Sequence, residues 1–476
     1  MMQHKYSTLV LDLGNVLVNY KAPNIIDLSG RQMKAALDSP YWHDYERGRT
    51  SKRECYESVC SEFDIDPETW TEALKQMRHT LQENTTLISS VKEIKELYPD
   101  TKVFCLSNIP ASELDDLRDK IESWGIIDGF IASSVAHQRK PDMAIYDECL
   151  KIIGCSPSSC IFVDDKTENV VTAQVLGFKG IVFDNTKALI RHLHNLFGHP
   201  VARAKTFLEN NAKNLFCTLS TGHAQPDNYS QLIILQNTGN RDLVVLESEG
   251  HTWNYFQRGS PTMTNIVYPN DSDTTSLAMA VLDDVPMAIK VKARDEILSN
   301  LNPDGLPLCW LSKSRPRFCH CICANVFRFF VINDWDGKLP GVKDFMCHLL
   351  ETRAYLHGSR YYKNPDWLLY ILSDLCARRP FDSQLQRMRE SLVECVRERM
   401  GCNNDVLGAA MRALSSQCLG FQSKRDLEIL LEGQQLDGGW ELAWLWGYGV
   451  ESLRIGSRGV VTAMAMNAIR RSNLYS

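Results

Sequence analysis

The chain has 476 residues, a formal net charge of −6, and hydrophobic and charged fractions of 44% and 23%. That length exceeds one ordinary core, so two or three domains are expected, and the balance is that of soluble globular protein. An acidic chain with no basic stretch argues against a nucleic-acid partner, and no run of about eighteen apolar residues offers a transmembrane segment. Sixteen scattered cysteines fit reduced thiols in a cytoplasmic protein better than a disulfide framework. The N-terminus runs directly into a strand pattern without a charged leader, apolar core or cleavage site, so no signal peptide is expected.

Ser7 to Val18 reads STLVLDLGNVLV, a short apolar run that ends at Asp12 with Gly14-Asn15 behind it. This predicts a buried strand entering a loop. A second strand, Lys102 to Leu106, ends in Ser107-Asn108, and a third, Cys160 to Val163, ends in Asp164-Asp165. Helical patterns lie between them, at Leu87 to Leu97 and Met143 to Ile153. Alternating strands and helices predict an α/β doubly wound parallel sheet over residues 1–198. Polar residues at the carboxyl ends of such strands converge on a crevice, which collects Asp12, Ser107, Lys140 and the Asp164-Asp165 pair. These are groups that phosphoryl transfer can use. Asp12 can attack phosphorus and bind a metal, and Asp164 supplies a second hard oxygen for Mg²⁺. Lys140 can neutralise transition-state charge, and Ser107 can hydrogen-bond a phosphoryl oxygen.

In order along the chain, DLGNVLV, LSN, the lysine of RKPD and VDDKTEN resemble the haloacid-dehalogenase-like hydrolases. The resemblance implies an aspartyl-phosphate on Asp12. It also implies Mg²⁺ held by Asp12, the Gly14 carbonyl, Asp164 and the adjoining Asp165, with Asn108 on the substrate side. Residues from about 20 to 85 would form a small helical cap. One departure stands out: the family's phosphatases usually carry a second Asp two positions after the nucleophile, and here that residue is Gly14. Expelling a phosphate monoester from a diphosphate needs little proton assistance, whereas expelling an alkoxide does. The first cleavage is therefore expected to be faster than the second. Residues 164–168 also spell DDxxE, a pattern of class I terpene synthases; because it follows a strand, it is read as the hydrolase metal motif.

Gly198-His199-Pro200 marks a plausible boundary, and strands become scarce over residues 199–476. Helices are predicted at Val201 to Leu215, Ser276 to Leu282, Val285 to Asn300, Cys321 to Ile332, Lys343 to Glu351 and Asp366 to Cys376. Others follow at Ser383 to Met400, Asn404 to Gln417, Ser423 to Leu431 and Val460 to Arg471. Asp271-Ser272-Asp273-Thr274-Thr275 precedes an apolar helix, so one of its acids can be an N-cap. Two carboxylates at i and i+2 repel each other, and an apolar pocket can keep one protonated. Such an acid can protonate an alkene, with the Thr274 or Thr275 hydroxyl orienting it. Cys319, Cys321 and Cys323 beside His320 lack a second C-x-x-C pair, so packing is favoured over a zinc site.

The DSDTT stretch resembles the acid motif of class II terpene cyclases, which implies Asp273 as proton donor and Asp271 as its helper. Gln434 to Trp440, QQLDGGW, is similar to the Q-x-x-x-G-x-W motif of helical cyclase toroids. NPDGLPLCWLSKSRPRFCHCICANVFRFF and YYKNPDWLLYILSDL resemble fungal sesquiterpene cyclases that carry a haloacid-dehalogenase-like N-terminal domain and make drimane-type products. The resemblance spans essentially the whole chain and implies an all-α toroid-like domain. Aromatic faces such as Trp310 can stabilise carbocations, and Arg315 and Arg317 can hold a diphosphate. The expected function is bifunctional: protonation-initiated cyclisation of farnesyl diphosphate to a drimenyl or albicanyl diphosphate, then Mg²⁺-dependent dephosphorylation. Three alternatives stay open: a prenyl-diphosphate phosphatase with a merely binding helical domain, a class I synthase, and, weakest because two acid-rich motifs would then be idle, a non-enzymatic scaffold. The implied partner is a small isoprenoid diphosphate, and the sequence leaves the oligomeric state open.

Overall fold

The computed structural model describes residues 6–20, 28–248, 250–262, 266–402, 405–447 and 453–472. Asn404, the expected start of one helix, and residues 21–27 of the expected cap lie outside these. The chain divides into two compact units, Met1–Gly198 and His199–Ser476.

The first unit is built on a wholly parallel five-stranded sheet. Its strands are β1 (Thr8–Leu11), β2 (Lys102–Ser107), β3 (Gly129–Ala132), β4 (Cys160–Asp164) and β5 (Lys179–Val182), in the order β3-β2-β1-β4-β5. Leu11 pairs with Cys105 on one side and Val163 on the other. Leu9 and Leu11 enter one hydrophobic cluster and Val10 another, so both faces of β1 are covered. That two-sided burial is why the strand reads as an unbroken apolar run. The register places Asp12 just past the central strand, between Ser107 ending β2 and Asp164 ending β4. Four helices, α1 (Gly30–Leu37), α2 (Pro40–Glu46), α3 (Lys52–Phe63) and α4 (Pro67–His79), have a separate small core around Trp42, Tyr45 and Trp70. Ser29, Ser39, Ser51 and Asp66 cap their N-termini.

The second unit is helical. The helices that matter here are α5 (Asn228–Thr238), α6 (Ser272–Val281), α7 (His320–Ile332) and α8 (Asp366–Arg378). Helix α6 begins four residues before the expected Ser276, because the Asp271 side chain caps it by accepting from the Thr274 N–H at 2.6 Å. Beyond the helices, Cys217–Leu219, Ala224–Gln225, Trp444–Gly447 and Arg454–Gly456 form a four-stranded antiparallel sheet. Those strands are too short for a period-two pattern to register in the sequence. Cys319, Cys321 and Cys323 are buried at the start of α7.

The QQLDGGW segment ties the unit's first helix to its last fifth. The buried Gln434 amide donates to the carbonyls of Pro200 and Gly438, and Trp440 Nε1 donates to the Leu430 carbonyl. Arg203 Nη2 donates to the Gln435 carbonyl at 2.7 Å. Gly438 has φ +87° and would place a Cβ 2.3 Å from the Arg203 carbonyl oxygen, so only glycine fits. The helix Arg458–Arg471 packs on both Pro200–Asn210 and α5.

Candidate active sites

At the carboxyl edge of the parallel sheet, Lys140 Nζ lies 2.8 Å from Asp12 Oδ1 and 2.6 Å from Asp164 Oδ2. Lys140 is buried. Burial works against its charge, but the two aspartates outweigh that and hold it above its ordinary value. Burial raises the Asp12 carboxyl above its ordinary value, Lys140 pulls it down, and Asp164 pushes it up. The Leu13 N–H donates to Asp12 Oδ1 at 2.7 Å. Asp164 Oδ1 accepts from the Lys166 N–H and from Asn169 Nδ2, both at 2.9 Å. Asp165 is held by Asn15 Nδ2 at 2.9 Å. Carboxylate oxygens of Asp12, Asp164 and Asp165 lie within 4.8 Å of one another. DDxxE thus splits between the end of β4 and the next helix, at this edge of the sheet.

Asn108 does something its motif did not disclose. Its amide donates to the Lys140 carbonyl at 2.9 Å and accepts from the Lys140 N–H at 2.8 Å. Both polar ends of the side chain bond the Lys140 backbone, so the geometry gives Asn108 a positioning role at Lys140. Gly14, Ser107 and Asn108 open onto a pocket of about 700 Å³. Trp42, Leu74, Met77, Leu81, Ile109 and Leu117 supply much of its wall. Glu46, Arg78, Glu113, Asp116, Asp119 and Lys120 line it too, so the pocket joins an apolar wall to a charged one.

In the second unit, Asp271 and Asp273 line a cavity of about 230 Å³ together with Trp310, Arg315 and Arg317. Tyr268, Arg360 and Tyr362 line it too. Burial pushes Asp271 up to about 7, and the neighbouring Asp273 charge adds to this against the Thr274 N–H. Burial also pushes Asp273 up to about 6, against hydrogen bonds from Tyr362, Asn325 and Tyr229. Asn325 Nδ2 donates to Asp273 Oδ1 at 2.8 Å, Tyr229 donates to the same oxygen at 3.3 Å, and Tyr362 donates to Oδ2. Asp271 Oδ2 is buried in the site. The Arg315 guanidinium stacks 4.8 Å from the Tyr268 ring centroid and 5.8 Å from that of Trp310. Arg317 donates to the Tyr361 hydroxyl at 3.3 Å.

Thr274 stands apart from the sequence expectation. It is fully buried, contributes its backbone N–H to Asp271, and is not part of the cavity wall. Thr275 Oγ1 instead accepts from the Trp253 N–H at 2.8 Å. The residues that do contact Asp273, namely Tyr229, Asn325 and Tyr362, were not singled out by the sequence. Two of them sit inside the segments that carry the family resemblance, but no spacing rule marks them as its partners.

The family described as "Sesquiterpene cyclase astC-like C-terminal domain" matches residues 201–333. The chain is 32% identical over 465 residues to Drimenol cyclase drtB of Aspergillus calidoustus, covering 98% of this chain and 88% of that one. It is 29% identical over 193 residues to Sesquiterpene phosphatase astK of Aspergillus oryzae, covering 40% of this chain and 97% of that one. The type II terpene cyclase MstE from Scytonema aligns at 12% identity and a TM-score of 0.41, covering 57% of this chain and 96% of that one.

Proposed function

The chain belongs to the family of Drimenol cyclase drtB, and we propose that Asp273 starts its cyclisation reaction and Asp12 its dephosphorylation. The protein is a bifunctional terpene cyclase and phosphatase. The observation that carries the cyclase assignment is the buried Asp273 carboxyl in the cavity wall, met by three hydrogen-bond donors. Those donors stabilise the carboxylate left behind when the proton departs, so they make Asp273 a stronger acid without removing it from an apolar pocket.

In this reading the substrate is farnesyl diphosphate, with Arg315 and Arg317 on the diphosphate. Asp273 delivers a proton to the terminal alkene. The resulting cation is attacked in turn by two internal double bonds, which closes two rings. Loss of a neighbouring proton then gives a drimane diphosphate. Trp310 and Tyr268 line the cavity and bring aromatic rings near the cationic intermediates. The diphosphate survives this sequence, because ionisation of the carbon–oxygen bond is never required.

The phosphatase step falls to the first unit. Asp12 attacks the terminal phosphorus, the bond to the leaving oxygen breaks, and the aspartyl-phosphate is hydrolysed by water. The clustered oxygens of Asp12, Asp164 and Asp165 are the hard donors that Mg²⁺ takes, and with the Gly14 carbonyl they would hold it. When bound, that ion would neutralise charge on the phosphoryl oxygens. Lys140 restrains Asp12 and adds positive charge, Asn108 fixes Lys140, and Ser107 faces the phosphoryl group. The apolar wall of the adjoining pocket receives the terpenoid skeleton.

The test is product analysis of the purified chain with farnesyl diphosphate and Mg²⁺. A bicyclic alcohol or monophosphate is expected, and farnesol alone would refute the cyclase assignment. A second expectation concerns Gly14. A Cβ there meets no atom within 4 Å, so the backbone leaves room to start a side chain, and Gly14→Asp would supply the carboxylic acid that the position lacks. Hydrolysis of farnesyl monophosphate should rise at least about tenfold relative to farnesyl diphosphate. An unchanged ratio, read by phosphate release, would show that leaving-group protonation is not what limits the second cleavage.

A further inference from the structure

Asp273 is connected to a charge that never touches it. Asn325 and Arg328 lie three residues apart on α7 and so share a face. Arg328 Nη2 donates to Asn325 Oδ1 at 2.6 Å, and Arg328 Nη1 donates to Asp374 Oδ2 on α8 at 2.9 Å. The Arg328 side chain is 1% exposed. A guanidinium has donors only, so the amide oxygen of Asn325 must face it. The amide nitrogen is thereby turned to Asp273, where it donates to Oδ1 at 2.8 Å and to the backbone carbonyl at 3.1 Å.

We propose that Arg328 is a positioning residue for the cyclisation acid: it fixes the orientation of the Asn325 amide and, through it, strengthens Asp273 as a proton donor. The proposal rests on the reading of Asp273 as the acid. Without Arg328, the Asn325 amide is free to turn its oxygen toward Asp273. It would then favour the protonated carboxyl and oppose the carboxylate that proton transfer creates. The buried positive charge also acts directly, since a cation nearby favours the ionised form. Asp374 would not be stranded by the loss, because Arg378 Nε also donates to its Oδ2 at 2.9 Å.

The sign of the pH effect follows. Cyclisation needs Asp273 protonated, so its rate falls as pH rises through the pKa of that group. Arg328 and Asn325 favour the carboxylate, so removing either raises that pKa and moves the alkaline limb to higher pH. The maximal rate drops because the acid is weaker. The other groups near Asp273 are the hydroxyls of Tyr229 and Tyr362, the Asp271 carboxyl and the thiols of Cys309, Cys319 and Cys321. Arg315, Arg317 and Arg360 line the same cavity. None of these is altered in the variants, and Asp271 is held by the Thr274 N–H instead of by Asn325. The titration of Asp271 feels the Asp273 charge, so an Asp273 that stays neutral to higher pH would leave a limb belonging to Asp271 unmoved or shifted down, not up.

The experiment measures total bicyclic product from farnesyl diphosphate across pH for wild type, Arg328→Met, Arg328→Lys and Asn325→Leu, with Asp273→Asn alongside. Thermal melting identifies the variants that fold, and Asn325→Leu, close in size, serves if Arg328→Met does not. Arg328→Met and Asn325→Leu should move the alkaline limb up by about one pH unit and lower the maximal rate about tenfold. Arg328→Lys, which keeps the charge, should fall between them and wild type. Rates that drop in folded variants with the limb unmoved would overturn the proposal and leave a merely structural role. Cyclisation surviving in Asp273→Asn would overturn the reading beneath it, and the proposal with it.

Discussion

Asp273→Asn is expected to lower formation of bicyclic products at least about a thousandfold. An amide has no proton of useful acidity to give an alkene. The substitution is otherwise mild, because the Asn oxygen can still accept from Asn325 and its amide can donate to the Tyr362 hydroxyl. The cavity should therefore keep its shape and still bind farnesyl diphosphate. Phosphate release from linear substrate should continue, since Asp12, Lys140 and Asp164 belong to the other unit. The measurement is mass-resolved product analysis. Linear products alone, at an undiminished rate of phosphate release, would support the assignment. Cyclic hydrocarbons persisting in the variant would point to direct ionisation of the diphosphate and remove Asp273 from the mechanism.

The second large effect is expected from Asp12→Asn, which should arrest the sequence at the bicyclic diphosphate and cut phosphate release at least about a thousandfold. The amide oxygen is a far poorer nucleophile than a carboxylate and cannot form the acyl-phosphate. Structurally the change is small. Asn can still accept from the Leu13 N–H, and Lys140 keeps its ion pair with Asp164 at 2.6 Å. Cyclisation should proceed at the wild-type rate. Accumulated bicyclic diphosphate, seen by the same mass analysis, is the expected signature. If Asp12→Asn instead abolished both steps, dephosphorylation could not be the separate second reaction described above.

Different parts of the molecule were legible to different degrees. The edge of the parallel sheet could be read from sequence because each strand is an apolar run ending abruptly in polar residues. Ser107 and Asp164 close two of those runs, and Asp12 lies one position past a third. Helix α5 could not. It is buried on nearly every face from Asn228 to Asn237, so no amphipathic period betrays it. Yet it carries Tyr229, one of the donors to Asp273. Tyr362 is likewise invisible to any local pattern, lying 89 residues from the acid it contacts. Asn108 shows the converse: its place after a strand was plain, but only the geometry shows that both ends of its amide serve Lys140.

The tie between the first helix of the second unit and its QQLDGGW loop bears on the order in which that unit can be completed during synthesis. Gln434 reaches back 234 residues to Pro200, and Arg203 reaches forward 232 residues to the Gln435 carbonyl. Contacts across so long a loop close late, because their entropic cost is met only once intervening structure has formed. The helix Pro200–Asn210 emerges early from the ribosome, but its partners Gln434, Gly438 and the helix Arg458–Arg471 are among the last to appear. The parallel sheet of the first unit has no such wait, since all its strands precede residue 183. A nascent chain should therefore carry a finished hydrolase unit while its cyclase unit is still open at both ends.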